Sequence, residues 1–257
     1  MHRGARQQRI LLHLESYGQA SITDLAGLLE VSEDTIRRDL FRLAGQGLLQ
    51  KTHGGAVALD VASMPRLARR RLLPAVKTAL GKAVAARISP GSTIMLDAGL
   101  TTLAVAMALD VPVTVVTHSL DIAWTLAERT NVRVIVTGGM WDQRQRLLAG
   151  SGTADVIRRY RADFAILGAC AIHVEQGLTA SEESDAEVKR AMLACSQTHW
   201  LVSDHLKFGA FAPHFVAGLE EFDLLFTDCP LVPLDSTFIK QIIVPVPNGG
   251  STPDLTD

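Results

Sequence analysis

Apolar residues recur at helical spacing in three segments close to the N-terminus, residues 9–17, 24–30 and 32–44. In the middle segment we expect four residues to face inward: Leu25, Ala26, Leu28 and Leu29. Gly18 follows the first segment, at a position where a left-handed residue commonly ends a helix. Ser32 can begin the third, because its hydroxyl can accept a free backbone N–H of the first turn. Only Val31 and Ser32 connect the last two segments, which predicts a helix-turn-helix.

The third helix carries a basic face opposite its apolar stripe. The residues on this face are Thr35, Arg37, Arg38 and Arg42. Guanidinium groups can pair with phosphates or guanine edges, and a threonine can contact a phosphate or a thymine methyl, so the face suits a DNA major groove. A short strand at 48–52 and a tight turn at 53–55 then predict a winged helix-turn-helix, with Lys51 and His53 along the phosphate backbone. A small helical protein-interaction module remains the alternative.

After residue 75 the pattern changes to an alternation of helices and strands. Helical patterns occupy residues 76–88, 101–109, 119–129, 154–160 and 183–195. Continuous β-branched or apolar runs occupy residues 93–97, 113–117, 132–137, 164–168, 200–203 and 224–227. Runs of this kind, rather than alternating ones, are typical of parallel strands covered on both faces. We therefore predict an α/β domain with a mainly parallel sheet.

These patterns divide the chain into four regions. They are a winged helix-turn-helix domain at 1–57, a basic linker at 58–74, an α/β domain at 75–244 and a flexible tail at 245–257. The linker contains Arg66, Arg69, Arg70 and Arg71. These arginines could contact a DNA backbone, bridge to the second domain or simply be solvated.

The charge of the chain is unevenly distributed. Its 257 residues hold 25 Lys and Arg against 27 Asp and Glu, which excludes a uniformly basic protein. Residues 1–71 nevertheless hold 11 basic against 7 acidic residues, whereas the remainder holds 14 against 20. Because the N-terminal region is basic and the remainder is acidic, we expect nucleic-acid contact to be confined to the N-terminal region.

Other composition signals narrow the class of protein. The three cysteines, Cys170, Cys195 and Cys229, are embedded in apolar segments and predict reduced core residues. Neither a leader pattern nor an apolar run long enough for a membrane span is present in the sequence, so we expect a soluble, cytoplasmic protein with no membrane partner. The eight histidines are scattered without metal-ligand spacing, and we predict no metal and no cofactor.

Two motifs make the N-terminal region resemble a known family. The segment L-A-x-L-L-x-V-S-x-x-T-I-R-R-D-L at 25–40 and H-G-G-A at 53–56 resemble the DNA-binding end of DeoR-family transcriptional regulators. The resemblance continues to about Asp228. It implies a bacterial regulator, usually a repressor, whose larger domain resembles the ribose-5-phosphate isomerase and CoA-transferase fold and binds a phosphorylated sugar or related metabolite.

The predicted strands of the second domain end in loops suited to an anionic ligand. In open α/β sheets, ligands lie beyond the carboxyl ends of the strands. Glycines allow close approach, and hydroxyls with free N–H groups at a helix N-terminus can hold a phosphate. The candidate effector-binding residues at three strand ends are Asp97, Gly99, Thr101 and Thr102, then Thr117 and Ser119, then Gly138 and Gly139. Any one of these loops alone would be an ordinary strand-to-helix turn.

The resemblance adds three residues and identifies three departures. Lys189, Asp204 and Lys207 match the family pattern, and the two lysines are candidates to balance a ligand's negative charge, although either could be a surface lysine. Leu100, His118 and His173 stand where the family usually has a hydroxyl residue, an amide and an aspartate. The departures leave the identity of the ligand, and even its phosphorylation, open.

These observations together predict a sequence-specific regulator. We expect it to repress a carbohydrate or polyol catabolic operon, to bind double-stranded operator DNA as a homo-oligomer, and to respond to a small, phosphorylated metabolite. The alternative is a sugar-phosphate isomerase-like enzyme with an appended DNA-binding domain. Asp97 and the acids at 182–187 would then be available, but a helix with four acids is more often a solvated face, and we assign no catalytic residue.

Overall fold

The structure, a computed structural model, describes residues 2–45, 48–58, 64, 66–231 and 239–246. The chain forms two compact units, whose boundary lies between Ser63 and Met64. Most of the predicted tail at 245–257 lies outside the described residues, which end at Val246. In the ranges that are described, no helix is long and apolar enough to cross a membrane.

The first unit contains three helices and three short strands among its described residues. These are α1 (Arg3–Tyr17), β1 (Gln19–Ser21), α2 (Ile22–Leu29), α3 (Glu33–Gly45), β2 (Leu49–Lys51) and β3 (Gly55–Ala58). Helix α1 begins six residues before the predicted start, because its first turns are polar and show no apolar repeat. Gly18 ends α1 with a positive φ of 74°, which favours glycine, and its backbone N–H donates to Leu14 O.

The turn between α2 and α3 has the predicted geometry. Glu30 adopts a left-handed conformation with φ of 53° after α2. The Ser32 hydroxyl accepts the backbone N–H of Thr35 at 3.3 Å and so caps α3. The prediction that Leu28 faces inward was wrong, since 46% of it is exposed. The buried stripe of this short helix consists of Ile22, Leu25 and Leu29, and Leu28 lies about a quarter turn from it.

The wing is a three-stranded antiparallel sheet in the order β1-β3-β2. The pattern did not predict β1, because three residues are too few to show an alternation. Gly55 pairs with Ser21, and a Cβ at Gly55 would lie only 2.0 Å from the carbonyl oxygen of Ala20. Position 55 therefore requires glycine.

The core of the first unit joins all three helices. Its fully buried members include Ile10, Leu25, Ile36 and Leu40. One charged residue lies among them: Asp39 of α3 is 1% exposed. Its carboxylate accepts from Arg6 Nε at 2.6 Å and from Gln7 Nε2 at 2.8 Å, so a buried, charge-assisted network fixes α1 against α3.

The second unit alternates helices and strands. Its elements are α4 (Arg66–Arg70), α5 (Pro74–Ala85), β4 (Thr93–Leu96), α6 (Leu100–Ala108), β5 (Val113–Thr117), α7 (Leu120–Leu126), β6 (Val132–Val136), β7 (Met140–Asp142), β8 (Leu147–Ala149), α8 (Ser151–Ile157), β9 (Ala162–Gly168), β10 (Ala171–His173), β11 (Gly177–Ala180), α9 (Glu183–Ala194), β12 (Ser196–Val202), β13 (His214–Ala217), β14 (Leu224–Thr227) and β15 (Gln241–Ile243). Short 3₁₀ turns occupy His205–Lys207 and Leu219–Glu221.

Seven strands form one parallel sheet in the order β15-β14-β12-β9-β4-β5-β6. All six predicted strands belong to it, and most of their residues are buried against one of two apolar layers, whereas the edge strand β6 is partly exposed. The prediction of a mainly parallel α/β domain is confirmed. Because the strands are parallel, the loops after β4, β5, β9 and β12 meet at one edge of the sheet, the carboxyl edge.

The smaller antiparallel pieces were not predicted. Strands β10, β11 and β13 form one sheet, and β7 pairs with β8 in a hairpin. Strand β15, at the edge of the large sheet, was also missed. Each of these strands has three or four residues, and none lies in a continuous run of four β-branched or large apolar residues, the signal that predicted the equally short β4 and β14.

The residues expected to form a basic linker lie partly in the second unit. Helix α4 is part of that unit, and Arg66 is largely buried there. Arg66 pairs with Asp121 at 2.7 Å, and Arg146 pairs with the other oxygen of Asp121 at 2.6 Å. The linker arginines were expected to contact a DNA backbone, to bridge to the second domain or to be solvated. For Arg66 the structure shows a contact within the second unit.

Candidate nucleic-acid interface and ligand site

One side of α3 and the neighbouring strand β2 form a basic concavity, which we call the arginine face. It is lined by Arg37, Arg38, Phe41, Arg42 and Lys51. All five residues are exposed. The structure thus brings four of the predicted DNA-binding residues together on one surface. Their positive charge and shallow curvature suit the phosphates that border a groove.

Two of these arginines already have partners on the first turn of α3. Arg37 pairs with Glu33 at 2.7 Å, and Arg38 pairs with Asp34 at 2.6 Å. All four side chains are more than 40% exposed. Exposed pairs of this kind contribute only about 0.3–0.5 kcal/mol each. The guanidinium groups can therefore exchange these carboxylates for phosphates or bases at little cost.

Phe41 is a member of the arginine face that the sequence reasoning missed. It is 72% exposed, four residues after Arg37 on the polar side of the helix. An aromatic residue on an otherwise charged helical face was the available signal. Its ring offers an apolar surface to thymine methyl groups, which a set of guanidinium groups lacks.

The remaining predicted DNA-binding residues have different surroundings. Ser32 and Thr35 are hydrogen-bonded to each other through their hydroxyls at 2.9 Å, so Ser32 serves the helix cap. His53 lies exposed in the turn between β2 and β3. The turn is closed by Thr52 N–H donating to Gly55 O at 3.0 Å, which holds Lys51 and His53 on either side of the same tight turn.

The second unit contains a buried charged group at the carboxyl edge, which we call the aspartate–lysine cluster. It consists of Asp97, His118, Asp185 and Lys189, all less than 7% exposed. The Lys189 ammonium contacts an oxygen of Asp97 and lies 3.3 Å from Asp185. Asp97 also accepts the backbone N–H of Ala98 at 2.8 Å and that of Gly168 at 2.9 Å.

Lys189 is the positively charged member of this cluster, and His118 is neutral. Burial lowers the pKa of Lys189, but the carboxylates of Asp185 and Asp97 outweigh that effect and the pKa is raised. Burial lowers the pKa of His118, which is therefore neutral. Asp97, His118 and Asp185 also have donor atoms within 4.8 Å of one another, as a metal site would. The ammonium of Lys189 already supplies the cation between the two carboxylates.

The cluster and the neighbouring Thr102 have buried polar atoms without a hydrogen-bond partner among the described residues. They are the hydroxyl of Thr102 and both ring nitrogens of His118, on side chains that are completely buried, and Oδ1 of Asp185, which lies 3.3 Å from the Lys189 ammonium. His118 Nε2 is 3.6 Å from Asp97, beyond hydrogen-bond distance. Buried polar groups are nearly always paired in proteins, so these atoms indicate where a ligand's polar groups would bind.

The other predicted residues of these loops contribute to local structure. Thr117 Oγ1 donates to Leu96 O at 2.7 Å and accepts from Ser119 N, and Ser119 Oγ caps α7 by accepting from Ile122 N. Gly99 packs close to Thr102: a Cβ there would lie 3.0 Å from the Thr102 hydroxyl. Thr101 is half-buried in the first turn of α6.

Gly138 and Gly139 lie at the end of β6, two strands away from β4. Gly138 O accepts from the Thr153 hydroxyl at 2.9 Å. Gly139 has φ of 126°, and a Cβ there would lie 2.1 Å from the same hydroxyl. Gly139 is therefore required by the close approach of the chain to α8, whereas Gly138 has open space around it and is favoured by its positive φ of 72°.

A second group of charges at the carboxyl edge follows β12. Asp204 is buried, and both its Oδ1 atom and Lys207 Nζ lack a hydrogen-bond partner in the described part of the chain. Burial lowers the pKa of Lys207 to about 8, while Asp204 opposes the shift and Arg69 adds to it. The charges of Asp204 and of Arg69, on α4, therefore act on the Lys207 ammonium in opposite directions.

The three departures from the family pattern differ in their surroundings. Leu100 is the first residue of α6, half-buried beside Thr102. His118 belongs to the aspartate–lysine cluster. His173, in contrast, accepts the backbone N–H groups of Glu175 and Gln176 through Nδ1, at 3.2 and 3.3 Å, and so orders the turn between β10 and β11.

The acidic helix α9 is not uniformly solvated. Asp185 and Lys189 face the core one helical turn apart, whereas Glu183 is exposed. The expectation of a solvated face was therefore wrong for Asp185. The spacing of Asp185 and Lys189 was the signal that was available, because residues four apart share one side of a helix.

Comparison with known proteins gives matches for both units. A model of the DeoR-like helix-turn-helix domain matches residues 6–61, and a model of the DeoR C-terminal sensor domain matches residues 74–229. The chain is 32% identical to the HTH-type transcriptional repressor GlcR of Bacillus subtilis (strain 168), with 89% of each chain covered. It is 35% identical to the glycerol-3-phosphate regulon repressor of Escherichia coli (strain K12), with 90% of this chain and 92% of the relative covered.

Among solved structures, ribose 5-phosphate isomerase A from Methanocaldococcus jannaschii is similar over 51% of this chain and 53% of that chain, with 13% identity and a TM-score of 0.38. The matches to the family models and to the relatives extend over both units, including the helix that carries the arginine face and the sheet edge with its buried charges. The chain belongs to the DeoR family of DNA-binding transcriptional regulators.

Proposed function

We propose that this protein represses a carbohydrate or polyol catabolic operon and releases its operator when a small phosphorylated metabolite binds the second unit. The observation that carries the DNA-binding part is the arginine face, where three arginines, a lysine and an exposed aromatic ring share one surface. Two relatives that cover about nine tenths of the chain are named as repressors, one of them of a glycerol-3-phosphate regulon, whereas another is named as an operon activator.

On the DNA, α3 acts as the recognition helix. Arg37, Arg38, Phe41 and Arg42 face the bases and the phosphates bordering the major groove, and Lys51 with His53 follows the backbone. Ser32 and Thr35 support the start of the helix, with the Thr35 methyl and hydroxyl close to the phosphates. A single helix reads only a few base pairs, so operator binding requires repeated or inverted half-sites and a homo-oligomer.

The effector binds at the carboxyl edge, between the loops after β4, β5 and β12. The unpaired polar atoms of Thr102, His118, Asp204 and Lys207 support this position, because a polyol phosphate offers both hydroxyl groups and negative charge. Thr117, Ser119 and Gly99 shape the loops, and the backbone N–H groups that begin α6 face the same region. Lys189 contributes through the aspartate–lysine cluster, by keeping Asp97 in place.

The effector is a signal rather than a substrate in this proposal. Both oxygens of Asp97 already accept hydrogen bonds, from two backbone N–H groups and Lys189. These contacts take three of the about four acceptor positions of a carboxylate, and the side chain is completely buried. Asp97 is therefore poorly placed to reach a substrate proton as a general base. Turnover of a sugar phosphate by the purified protein would instead favour the isomerase-like alternative.

The experiment is a fluorescence-anisotropy titration of the full-length protein on the DNA upstream of its own gene cluster. We expect Arg37→Ala and Arg38→Ala each to weaken specific binding about tenfold or more, because a good base contact contributes about 1–3 kcal/mol. Arg159→Ala, which removes an exposed arginine of the second unit, is the matched control and should bind like the wild type.

The same assay tests the effector. Phosphorylated polyols and sugars are added to the preformed complex, with their unphosphorylated forms as controls. Release by a phosphorylated compound supports the proposal. Unaltered operator affinity in both arginine variants, or release by none of the compounds, would contradict the corresponding half of it.

A further inference from the structure

Two basic side chains of the second unit, far apart in the sequence, have buried nitrogen atoms without a hydrogen-bond partner among the described residues. They are Arg69 Nε, on α4, and Lys207 Nζ, in the 3₁₀ turn after β12. The terminal Arg69 Nη2 donates to Gln145 Oε1 at 3.4 Å, a long bond that leaves the Nε side of the guanidinium unused. A cation buried without a hydrogen-bonded partner is costly, so such atoms call for an anionic partner.

The charges around Lys207 are unbalanced. The titratable groups whose charges influence the pKa of Lys207 are Asp204, Arg69, Cys170 and Lys77. The Lys77 ammonium is occupied, since it donates to the backbone oxygens of Arg69 and Leu72 at the end of α4. Burial raises the pKa of the Cys170 thiol, which stays neutral. Among the described residues, Asp204 is therefore the main counter-charge to Lys207, while Arg69 and Lys77 repel it.

We propose that Arg69 and Lys207 together bind an oxyanion, the phosphate group of the effector. A phosphate accepts from several donors at once, and a guanidinium with an ammonium provides them from two sides. The inference rests on the proposed function and adds a residue to it. Arg69 precedes residue 74, where the match to the sensor-domain model begins.

A regulatory consequence follows from the position of Arg69 in the chain. Helix α4 is the first helix after the boundary between the two units. An anion held by both Arg69 and Lys207 would tie α4 to the carboxyl edge of the sheet. Effector binding would therefore stabilise one position of α4, the segment that leads to the DNA-binding unit. An effector can change DNA affinity only if it binds one arrangement of the protein more tightly than another, and this contact would provide that difference.

The test uses inorganic sulfate as the probe, because its charge does not change between pH 6.5 and 9.5. Thermal unfolding of the full-length protein is followed against sulfate concentration, with sodium chloride keeping the ionic strength constant. An anion that binds the native state raises the Tm by mass action. The variants are Arg69→Gln and Lys207→Gln, and Arg70→Gln is the matched control, an exposed arginine one residue along α4.

We expect sulfate to stabilise the wild type and Arg70→Gln equally, and to bind Arg69→Gln and Lys207→Gln about tenfold more weakly, the effect of losing one charge-assisted contact. Wild-type sulfate affinity in Arg69→Gln would overturn the proposal. So would a wild type whose Tm responds no more to sulfate than to chloride of equal ionic strength.

The pH dependence provides an independent readout. Lys207 has a pKa of about 8 and loses its charge as the pH rises through that value. Wild-type sulfate affinity should therefore fall above pH 8. In Lys207→Gln this fall should disappear, and in Arg69→Gln it should move to higher pH, because a repelling cation has been removed. A fall at the same pH in all three proteins would contradict the assignment.

The outcome can be separated from that of the proposed function. If a phosphorylated metabolite releases the operator from wild type and Arg69→Gln at the same concentration, the regulator functions as proposed but Arg69 takes no part in it. The other case is that no metabolite releases the operator from the wild type, but sulfate binding still depends on Arg69 and Lys207. The anion site is then supported, and the proposed effector is wrong.

Discussion

At the scale of single residues, two buried threonines show how structural and ligand-directed hydroxyls differ. The Thr153 hydroxyl donates to Gly138 O at 2.9 Å and so fixes the end of β6. The Thr102 hydroxyl, equally buried, has no partner among the residues that the structure describes. A hydrogen bond stabilises the fold by about 1 kcal/mol, whereas an unpaired buried hydroxyl costs free energy.

This contrast leads to a paired prediction. Thr102→Val, which keeps the shape but removes the hydroxyl, should leave the free energy of unfolding unchanged or slightly raised, yet weaken the operator-release response to the effector. Thr153→Val should lower the free energy of unfolding by about 1 kcal/mol and keep the response. Chemical denaturation and the release titration measure the two effects. A Thr102→Val protein that is clearly destabilised but responds normally would show that this hydroxyl is structural.

At the scale of elements, the wing depends on one close contact between strands. Gly54 and Gly55 are adjacent in the sequence but have different surroundings. A Cβ at Gly55 would meet the backbone of Ala20 at 2.0 Å, whereas a Cβ at Gly54 would have no atom within 4 Å. Backbone atoms cannot move aside as a flexible side chain can, so only position 55 requires glycine.

We therefore predict that Gly55→Ala lowers the free energy of unfolding of the first unit by about 2 kcal/mol, the usual cost of overpacking, and displaces the wing. Gly54→Ala should change the stability by less than about 0.5 kcal/mol, as at an ordinary surface position. Urea denaturation followed by circular dichroism compares the two. Equal stability of the two variants would mean that β1 can move away from β3 without cost.

At the scale of the whole molecule, charge is segregated along the chain. The formal net charge is −2, but the N-terminal residues are basic and the remainder is acidic. Net charge therefore says little about DNA affinity. What matters is which cations lie on the arginine face and can displace counterions from phosphates.

Lys51 and Lys240 test this point. Each substitution to alanine removes one positive charge, but Lys51 lines the arginine face and Lys240 is an exposed residue of the second unit. Lys51→Ala should weaken specific and random DNA equally and reduce the slope of log affinity against log salt by about one unit. Lys240→Ala should leave that slope unchanged. A change in base preference in Lys51→Ala would instead assign the wing a role in reading bases.

Much of the architecture was already determined by local patterns in the sequence. Apolar repeats at 36, 40 and 43 and the cap at Ser32 predicted α3, and β-branched runs predicted the six central strands of the sheet. These predictions succeeded because a helix or buried strand shows its period within a few residues. Strands of three residues that lie outside such runs, such as β1 and β7, show no period, so they were missed.

Only the tertiary structure decided which distant residues meet. Lys189 was as plausible on a surface as in a site, but it pairs with Asp97, 92 residues away, in a buried cluster. Gly55 is constrained by Ala20. Arg69, which was predicted to lie in the linker, belongs to the second unit, where its charge acts on Lys207. Local sequence specifies which side chains can carry charge or bend the backbone. Whether a charge is buried, paired or left for a ligand depends on packing between elements, which no short stretch of sequence contains.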